Sequence, residues 1–363
     1  MNNLLTRRAA FLSVAILVFG LVLVYPAQRL LHWSGYDHTW SVGFGLFFWV
    51  VATRILHERV HSMLTRRLTA ITMTWLGISF IALCLTLLGE IWLWIGNDPV
   101  TTAEVIGWTC ALLSAYGFYN AQRLHTYVLD INAPDAAKGI SFAQISDVHI
   151  GSRLPGFLAR VVRHTNELHP DYVLITGDLI DMRDISEDEL LPLQQLRAPI
   201  LFCIGNHERY VDLEAICQRL TNLGVNVLRN TVHQPDQHPQ LVFFSVDDAE
   251  SKDQVSKVLP ELVKSHNHRG SHADQADEYR ILLYHRPDGA DVASEHCIDL
   301  MLTGHTHRGQ IMPFNFLVKR VFPQYYRSYL QNYTRLYVSP GTGTWGPTLR
   351  LGSKCEITLI RLL

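Results

Sequence analysis

The sequence predicts an α/β domain preceded by an α-helical, multi-span membrane domain. Three observations carry that expectation. Apolar runs of spanning length fill the first third, and short apolar strands alternate with amphipathic helices beyond Ile140. Five of those strands end in clusters of aspartate, asparagine and histidine. The expected boundaries are 1–125 for the membrane domain with about four helices, 126–139 for a linker and 140–363 for the α/β domain.

The membrane domain rests on length and charge. Crossing a bilayer core takes ~20 mainly apolar residues, because each backbone polar group must be satisfied within the helix. Ala9–Leu31 and Leu68–Ile95 meet that length; Trp40–Leu56 is shorter and Val105–Ala121 less apolar. Trp33, Trp40, Trp49, Trp92, Trp94 and Trp108 fall near the expected ends, which suits interfacial belts and simple packing equally. Glu90 is the single intramembrane charge expected, with no matched partner. Arg7 and Arg8 precede the first span, and Arg54, Arg59, Arg66 and Arg67 separate the second from the third. Arg123 and Lys138 follow the fourth, whereas the opposite side receives Arg29, Asp98 and Glu104. The positive-inside rule then gives a multi-pass protein of the cell inner membrane with its α/β domain in the cytoplasm, provided the number of crossings is even. Thr6-Arg7-Arg8 also resembles a twin-arginine export signal. The further spans and the lack of a small-residue cleavage site favour the plain topological reading.

Composition limits the partners. Hydrophobic residues make up 48% and charged residues 18% of 363 residues, with a formal net charge of −2, so no basic field calls for nucleic acid. Membrane lipids are the expected surroundings. Cys84, Cys110, Cys203, Cys217, Cys297 and Cys355 show no paired spacing and read as free thiols.

In the α/β domain the expected strands are Ile140–Ile145, Tyr172–Thr176, Ile200–Ile204, Gln240–Val246, Arg280–Tyr284, Leu300–Leu302, Arg335–Val338 and Glu356–Leu362. Helical periodicity marks Gly156–Leu168, Leu213–Leu223 and, more weakly, Val255–Val263. The polar tract from Lys264 to Glu278, with His266, His268 and His272, reads as a solvated loop.

The chemistry lies where strands end. In chain order the clusters are Asp147-Val148-His149, Gly177-Asp178-Leu179-Ile180-Asp181, Gly205-Asn206-His207-Glu208, His285, and Gly304-His305-Thr306-His307. Ligand crevices of open α/β sheets lie outside the carboxyl ends of strands, so five such clusters converge. Two divalent metals ~4 Å apart need oxygen and imidazole donors with a carboxylate between them. Asp178 is the natural bridge; Asp147, His149 and one of His305 and His307 complete one metal, and Asn206, His285 and the other histidine the second. The two histidines of His305-Thr306-His307 would face one way in an extended segment. A water held by both metals is acidic enough to supply hydroxide near neutral pH, which attacks phosphorus in line with the leaving oxygen. His207, beside a ligand but not needed as one, is placed to stabilise the phosphoryl oxygens or protonate the leaving group.

These motifs resemble the calcineurin-like metallophosphoesterase superfamily, whose pattern is D-x-H, G-D-x-x-D, G-N-H-[DE], a lone H and G-H-x-H, all present in order from Asp147 to His307. The resemblance implies a four-layer α-β-β-α sandwich over 140–363 and a dinuclear site of manganese, iron or zinc. It assigns Asp147, His149, Asp178 and His307 to one metal, and Asp178, Asn206, His285 and His305 to the other. The tail from Ser339 to Pro347, followed by Arg350-Leu351-Gly352, is similar to a bacterial branch of membrane-associated or exported phosphodiesterase-like proteins. That branch usually has glycine where this chain has Arg308.

Arg183, Arg209 and Arg308 are candidates for further substrate contact, with a solvated surface as the alternative reading for each. Asp181 is expected to support the metal shell or to cap the segment after it. Phe314 to Tyr333 interleaves aromatics with Lys319, Arg320 and Arg327, which suits lipid headgroups or a packed cap equally. The expected activity is metal-dependent phosphoester hydrolysis, by a phosphodiesterase or pyrophosphatase at the cytoplasmic membrane face. A lipid-linked substrate, such as a phospholipid, lipid pyrophosphate or nucleotide-lipid, is among the candidates. The alternatives are a phosphomonoesterase, a cyclic-nucleotide or protein phosphatase, or a non-catalytic membrane sensor with a hydrolase-like domain.

Overall fold

The computed structural model describes residues 2–37, 39–183, 185–268 and 278–363, with side chains from Ile16 onward. His272 and the side chains of Arg7 and Arg8 lie outside the described set. The chain divides into two compact units, 1–120 with 346–351, and 121–345 with 352–363.

The first unit is built from α1 (Asn2–Trp33), α2 (Thr39–Arg59), α3 (Met63–Trp94) and α4 (Pro99–Gln122). Among the described residues three helices are long and apolar enough to cross a membrane: α1 over Ile16–Trp33, α2 and α3. The fourth expected span is helical as well, but α4 is not among those three. Small residues let these helices approach: a Cβ on Gly43 would sit 2.9 Å from the Val24 backbone. Trp49 Nε1 donates to Thr72 Oγ1 at 3.1 Å, tying α2 to α3. Ser62 caps α3, accepting from the Thr65 N–H at 3.2 Å. Glu90 has the partner that the sequence reading denied it: the Arg29 guanidinium forms a two-armed pair with its carboxylate at 2.5 and 2.8 Å, and Tyr25 adds a third bond at 2.8 Å. Arg29 and Glu90 lie 61 positions apart, beyond the reach of any helical-spacing rule. Trp33 packs under Arg29 and is buried, while Trp92, Trp94 and Trp108 are exposed.

The second unit contains two mixed six-stranded sheets. The first comprises β1 (Leu124–Ile131), β2 (Ser141–Ile145), β3 (Tyr172–Thr176), β4 (Ile200–Cys203), β5 (Val225–Leu228) and, from the far end of the chain, β12 (Cys355–Leu362), in the order β1-β12-β2-β3-β4-β5. The second comprises β6 (Thr231–His233), β7 (Leu241–Val246), β8 (Tyr279–Tyr284), β9 (Leu300–Thr303), β10 (Arg327–Gln331) and β11 (Thr334–Val338), in the order β10-β11-β9-β8-β7-β6. The helices are α5 (Phe157–Glu167), α6 (Glu187–Leu190), α7 (Asn206–Tyr210), α8 (Leu213–Asn222), α9 (Gln254–Asn267), α10 (Ala290–Glu295) and α11 (Phe314–Val321).

Side-chain alternation explains why the central strands are apolar throughout. Along β3, Tyr172 and Leu174 enter the core between the sheets, while Val173 and Ile175 meet α5 and α8 on the outer side. Along β7, Leu241 and Phe243 face the same central core, and Val242, Phe244 and Val246 pack against α9 and α10. The result is a four-layer α-β-β-α sandwich. Strands β2 to β5 run parallel, as do β7, β8, β9 and β11, so both sheets point carboxyl ends the same way along the chain's clusters of polar residues. His266 closes α9 rather than opening a loop, pairing with Glu278 at 2.9 Å.

Residues 126–139, read as a linker, include most of β1. This strand pairs in parallel along all eight residues of β12 and buries Leu129 and Ile131 in the central core. Its alternation is blurred by apolar Val128 on the exposed side and polar His125 on the inward side, which hid it from a periodicity reading. A fragment beginning at Ile140 therefore leaves the β12 edge unpaired, whereas one beginning at Arg123 keeps it covered. Two large apolar side chains correspond to on the order of 4 kcal/mol. The shorter fragment is expected to melt lower and aggregate sooner in a thermal scan, and equal melting would show that β1 is dispensable.

Candidate metal centre

The five clusters lie in the loops leaving β2, β3, β4, β8 and β9, so donors from both sheets meet at one edge of the central core. Polar bonds join the sheets just beneath. Gln144 Nε2 donates to Thr176 Oγ1 and to the Thr303 carbonyl, both at 3.0 Å. His285 Nδ1 lies 2.8 Å from the Thr176 carbonyl. A carbonyl only accepts, so Nδ1 carries a proton and Nε2 is turned toward the site.

The turns beneath the donors are tight. A Cβ on Gly205 would stand 2.2 Å from Asp178 Oδ1, and one on Gly304 would stand 2.2 Å from Asp147 Oδ2. Asp147, His149, Asp178, His305 and His307 all adopt left-handed backbone conformations, which orient their side chains inward. The His305–His307 segment is accordingly not extended, and the two rings do not face one way. His307 joins Asp147 and His149, while His305 joins Asp178 and His285.

In the first group His149 Nε2 and His307 Nε2 lie 3.0 Å apart, and His307 Nε2 lies 3.4 Å from Asp147 Oδ1. In the second, His285 Nε2 lies 3.0 Å from Asp178 Oδ2 and 3.2 Å from His305 Nδ1. Asp178 Oδ2 is also 3.9 Å from both His149 Nε2 and His207 Nε2, which puts this carboxylate between the two groups. Asn206 is buried with its Nδ2 3.4 Å from the Tyr210 hydroxyl. Its Oδ1 is buried with no hydrogen-bond partner, a condition that a metal ion relieves. Carboxylate, amide and imidazole donors crowded in this way fit two divalent cations.

Electrostatics point the same way. Burial alone would raise Asp178, but the adjacent His285 holds it well below the usual carboxylate range. Burial would likewise lower His285, and Asp178 instead lifts it to about 10. Burial pushes Asp147 up. The site thus demands positive charge beside its carboxylates, which divalent cations supply. His305 falls to about 3 through burial and the neighbouring His285, and His207 to about 4 through burial. Both imidazoles are neutral at physiological pH.

Two carboxylates support the donors from behind. Glu208 accepts from the N–H groups of Asp178 (3.1 Å), Leu179 (2.7 Å), Ile180 (3.0 Å) and Gly205 (2.9 Å), locking the β3 and β4 loops together. Its carboxyl is raised to about 7 by burial and by Asp178. The sequence reading quoted this residue in its motif without giving it a task; the acidic fourth position was the available signal. Asp181 accepts from the Ser152 N–H at 2.9 Å and stands 3.4 Å from His149 Nδ1, behind the ring.

The expected substrate arginines are placed differently. Arg209 is held by the Asp248 carbonyl and lies 3.6 Å from Asp247. Arg308 lies 4.0 Å over the Tyr326 ring. Arg183 is exposed in the turn after Asp181. Two aromatics missed from sequence stand beside His207 instead. Tyr210 and Trp345 meet its ring edge-on at 5.2 and 5.7 Å, and remain 51% and 55% exposed. Trp345 is fixed by exchanging two backbone bonds with the Gln310 side chain, at 3.0 and 3.1 Å.

Replacing Asp181 with alanine removes the group that orients His149. Metal affinity is expected to fall by about 10–100-fold, measured by titrating metal into the apo-protein with the fold monitored by circular dichroism. Glu208→Gln puts an amide against four N–H donors; a lowered melting temperature together with lost metal is expected.

Comparison with known proteins gives a consistent result. The calcineurin-like phosphoesterase family model matches residues 140–309. An uncharacterized metallophosphoesterase of Helicobacter pylori strain J99 is 34% identical over 268 residues, covering 71% of this chain and 70% of the relative. A transmembrane protein with metallophosphoesterase domain from Danio rerio is 32% identical over 281 residues, 69% of this chain but 60% of the relative, so this chain spans less than two-thirds of that protein. Among solved structures, the Haemophilus influenzae NAD nucleotidase is similar at 16% identity and a TM-score of 0.36, over 57% of this chain and 51% of that one. The chain belongs to the calcineurin-like metallophosphoesterases, a family of metal-dependent hydrolases of phosphoester bonds with a dinuclear divalent centre.

Proposed function

We propose that residues 140–363 hydrolyse a phosphodiester or pyrophosphate at the cytoplasmic face of the inner membrane, on a lipid-linked substrate, with residues 1–125 as the anchor. The observation that carries the choice of substrate charge is the engagement of the nearby arginines. Arg209 is bound to Asp247 and Asp248, and Arg308 is stacked on Tyr326. The added neutral His207 brings no charge, so a singly charged diester suits the site better than a dianionic monoester. The exposed Tyr210 and Trp345 leave room for a bulky group beyond phosphorus.

Asp147, His149, Asp178 and His307 would hold one metal, and Asp178, Asn206, His285 and His305 the other. Bound divalent ions supply Lewis acidity toward the phosphoryl oxygens and a hydroxide nucleophile near neutral pH. Asp178 keeps its charge and spans both groups, its position fixed by the His207 N–H at 2.9 Å. His207, neutral and wedged between two aromatic edges, donates a hydrogen bond from its ring toward a phosphoryl or leaving oxygen.

Support for the cytoplasmic placement comes from α4. Val105, Trp108, Leu112, Tyr116 and Tyr119 form an exposed stripe at helical spacing, the pattern of a lipid-facing helix, and a fourth crossing makes the count even. Cys297 is the exposed cysteine in the hydrolase unit among the described residues, so it reports the side directly. A membrane-impermeant maleimide is expected to spare it in intact spheroplasts and label it in inverted vesicles; the opposite pattern places the domain outside.

For activity, purified full-length protein is assayed in detergent with manganese on a generic phosphodiester and its monoester, then with chelator. Chelator-sensitive cleavage favouring the diester is expected, and a preference for the monoester would reverse the substrate reading. Asp178→Ala is expected to abolish turnover, and His207→Ala to lower it by about 10²–10⁴-fold. Full activity in either variant removes that residue from its role.

A further inference from the structure

Helix α11 begins five residues after Gly309, which ends the turn that carries His307, and buries none of its eight residues. Phe314, Leu317, Val318 and Val321 recur at i, i+3, i+4 and i+7, which sets them on one face. Leu317 is 54% exposed, and Phe316 on the flank 66%. Lys319 and Arg320 fall on the opposite side and are exposed as well. Monomeric domains seldom leave so much contiguous apolar surface in water, and among the described residues α11 packs mainly against the short turn His307–Gly309, which leaves much of that face exposed.

The charge around it is one-sided. From 300 to 355 the chain has no aspartate or glutamate, yet carries seven lysines and arginines, in a protein whose net charge is −2. The helix is also coupled to the metal centre. Phe322, which ends it, meets the His305 ring edge-on at 5.2 Å, and Thr306 Oγ1 donates to the Tyr325 carbonyl at 2.6 Å.

We propose that α11 is an interfacial helix that seats the hydrolase unit on an anionic lipid surface, with its apolar face among the acyl chains and Lys319 and Arg320 at the headgroups. This rests on the membrane-bound hydrolase reading above and adds the surface through which the site receives its substrate. An apolar face backed by cations, in a segment without carboxylates, is what such a surface selects. The spanning helices keep a bilayer within reach of this unit, so a single short helix is enough to bind where a free one would not be. Docking through α11 places the β9 loop with His305 and His307 beside the lipid, where a headgroup phosphoester lies.

The test uses full-length protein in nanodiscs of phosphatidylcholine, with and without phosphatidylglycerol, followed by hydrogen–deuterium exchange over residues 312–322. With two cations near an anionic surface, exchange is expected to slow by about 30-fold in the anionic discs relative to the neutral ones. Leu317→Asp with Val321→Asp should abolish the protection while leaving turnover of a soluble diester within about two-fold, since neither residue touches the metal groups. Lys319→Glu with Arg320→Glu, which leaves the apolar face intact, should remove only the dependence on phosphatidylglycerol. Exchange that is equal in both discs overturns the proposal. Protection that follows protein density rather than lipid also overturns it, in favour of a second copy. Failure of the hydrolase reading shows separately, as no metal-dependent turnover of the soluble diester by wild-type protein.

Discussion

The buried carboxylate of Asp178 sets the terms for the groups around it. An ionised carboxylate cannot remain in a protein interior without compensation, and here compensation comes from three directions. His285 approaches at 3.0 Å, the His207 N–H donates at 2.9 Å, and Glu208 holds the backbone that carries Asp178. Glu208 is itself a buried carboxyl, raised to about 7 by burial and by Asp178, so the pair does not ionise fully without more positive charge nearby. Cations are the remaining remedy. The same demand that would destabilise an ordinary core makes this edge of the sandwich suited to divalent ions.

That demand also accounts for the two sheets. Asp178 leaves β3 in one sheet and His285 leaves β8 in the other, so their contact exists only if the sheets hold a fixed offset. The offset is set partly by apolar packing, with Phe142, Tyr172 and Phe243 interlocked at ring distances of 5.8–6.2 Å in the central core. It is refined by directional bonds, from Gln144 to Thr303 and from His285 to Thr176, which tolerate little sliding. Apolar contacts alone would leave the donors convergent but not aligned.

Much of this was legible in the sequence, because parallel strands buried on both faces read as continuous apolar runs and their carboxyl ends carried the polar clusters. Strands β2, β3, β4, β7, β8, β9, β11 and β12 all stand within a residue or two of expectation. The strands that escaped notice, β1, β5, β6 and β10, are of another kind. β5 spans four residues and β6 three, β10 is only half buried, and β1 carries its buried residues only at its end, so none shows a burial pattern long enough for periodicity to detect. Local reasoning failed at His305-Thr306-His307, where the backbone turns left-handed and separates two rings that an extended chain would have aligned. It also failed for Arg29 and Glu90, whose pairing depends on how α1 meets α3. Glu208 was visible as a letter in a motif, but its task of gathering four N–H groups belongs to tertiary structure.

The left-handed residues show how the tail of the chain enters the site. Holding a non-glycine residue in that region costs on the order of 1–3 kcal/mol, and five donor residues do so together. Such a loop persists only where its surroundings over-determine it. The Asp147 and His149 N–H groups donate to the Gly177 and Asp178 carbonyls, both at 3.1 Å, on one side. On the other, Thr342 and Gly343 donate to the Ser146 and Asp147 carbonyls at 2.7 and 2.9 Å. Gly343 must be glycine for this approach, since a Cβ there would stand 2.1 Å from the Val148 carbonyl oxygen. The first donor loop is thus gripped between the β3 loop and a segment nearly 200 residues later, just before Trp345. The segment Thr342–Trp345 is, in physical terms, the second wall of the candidate metal centre, and the same stretch carries the aromatic ring that stands beside His207.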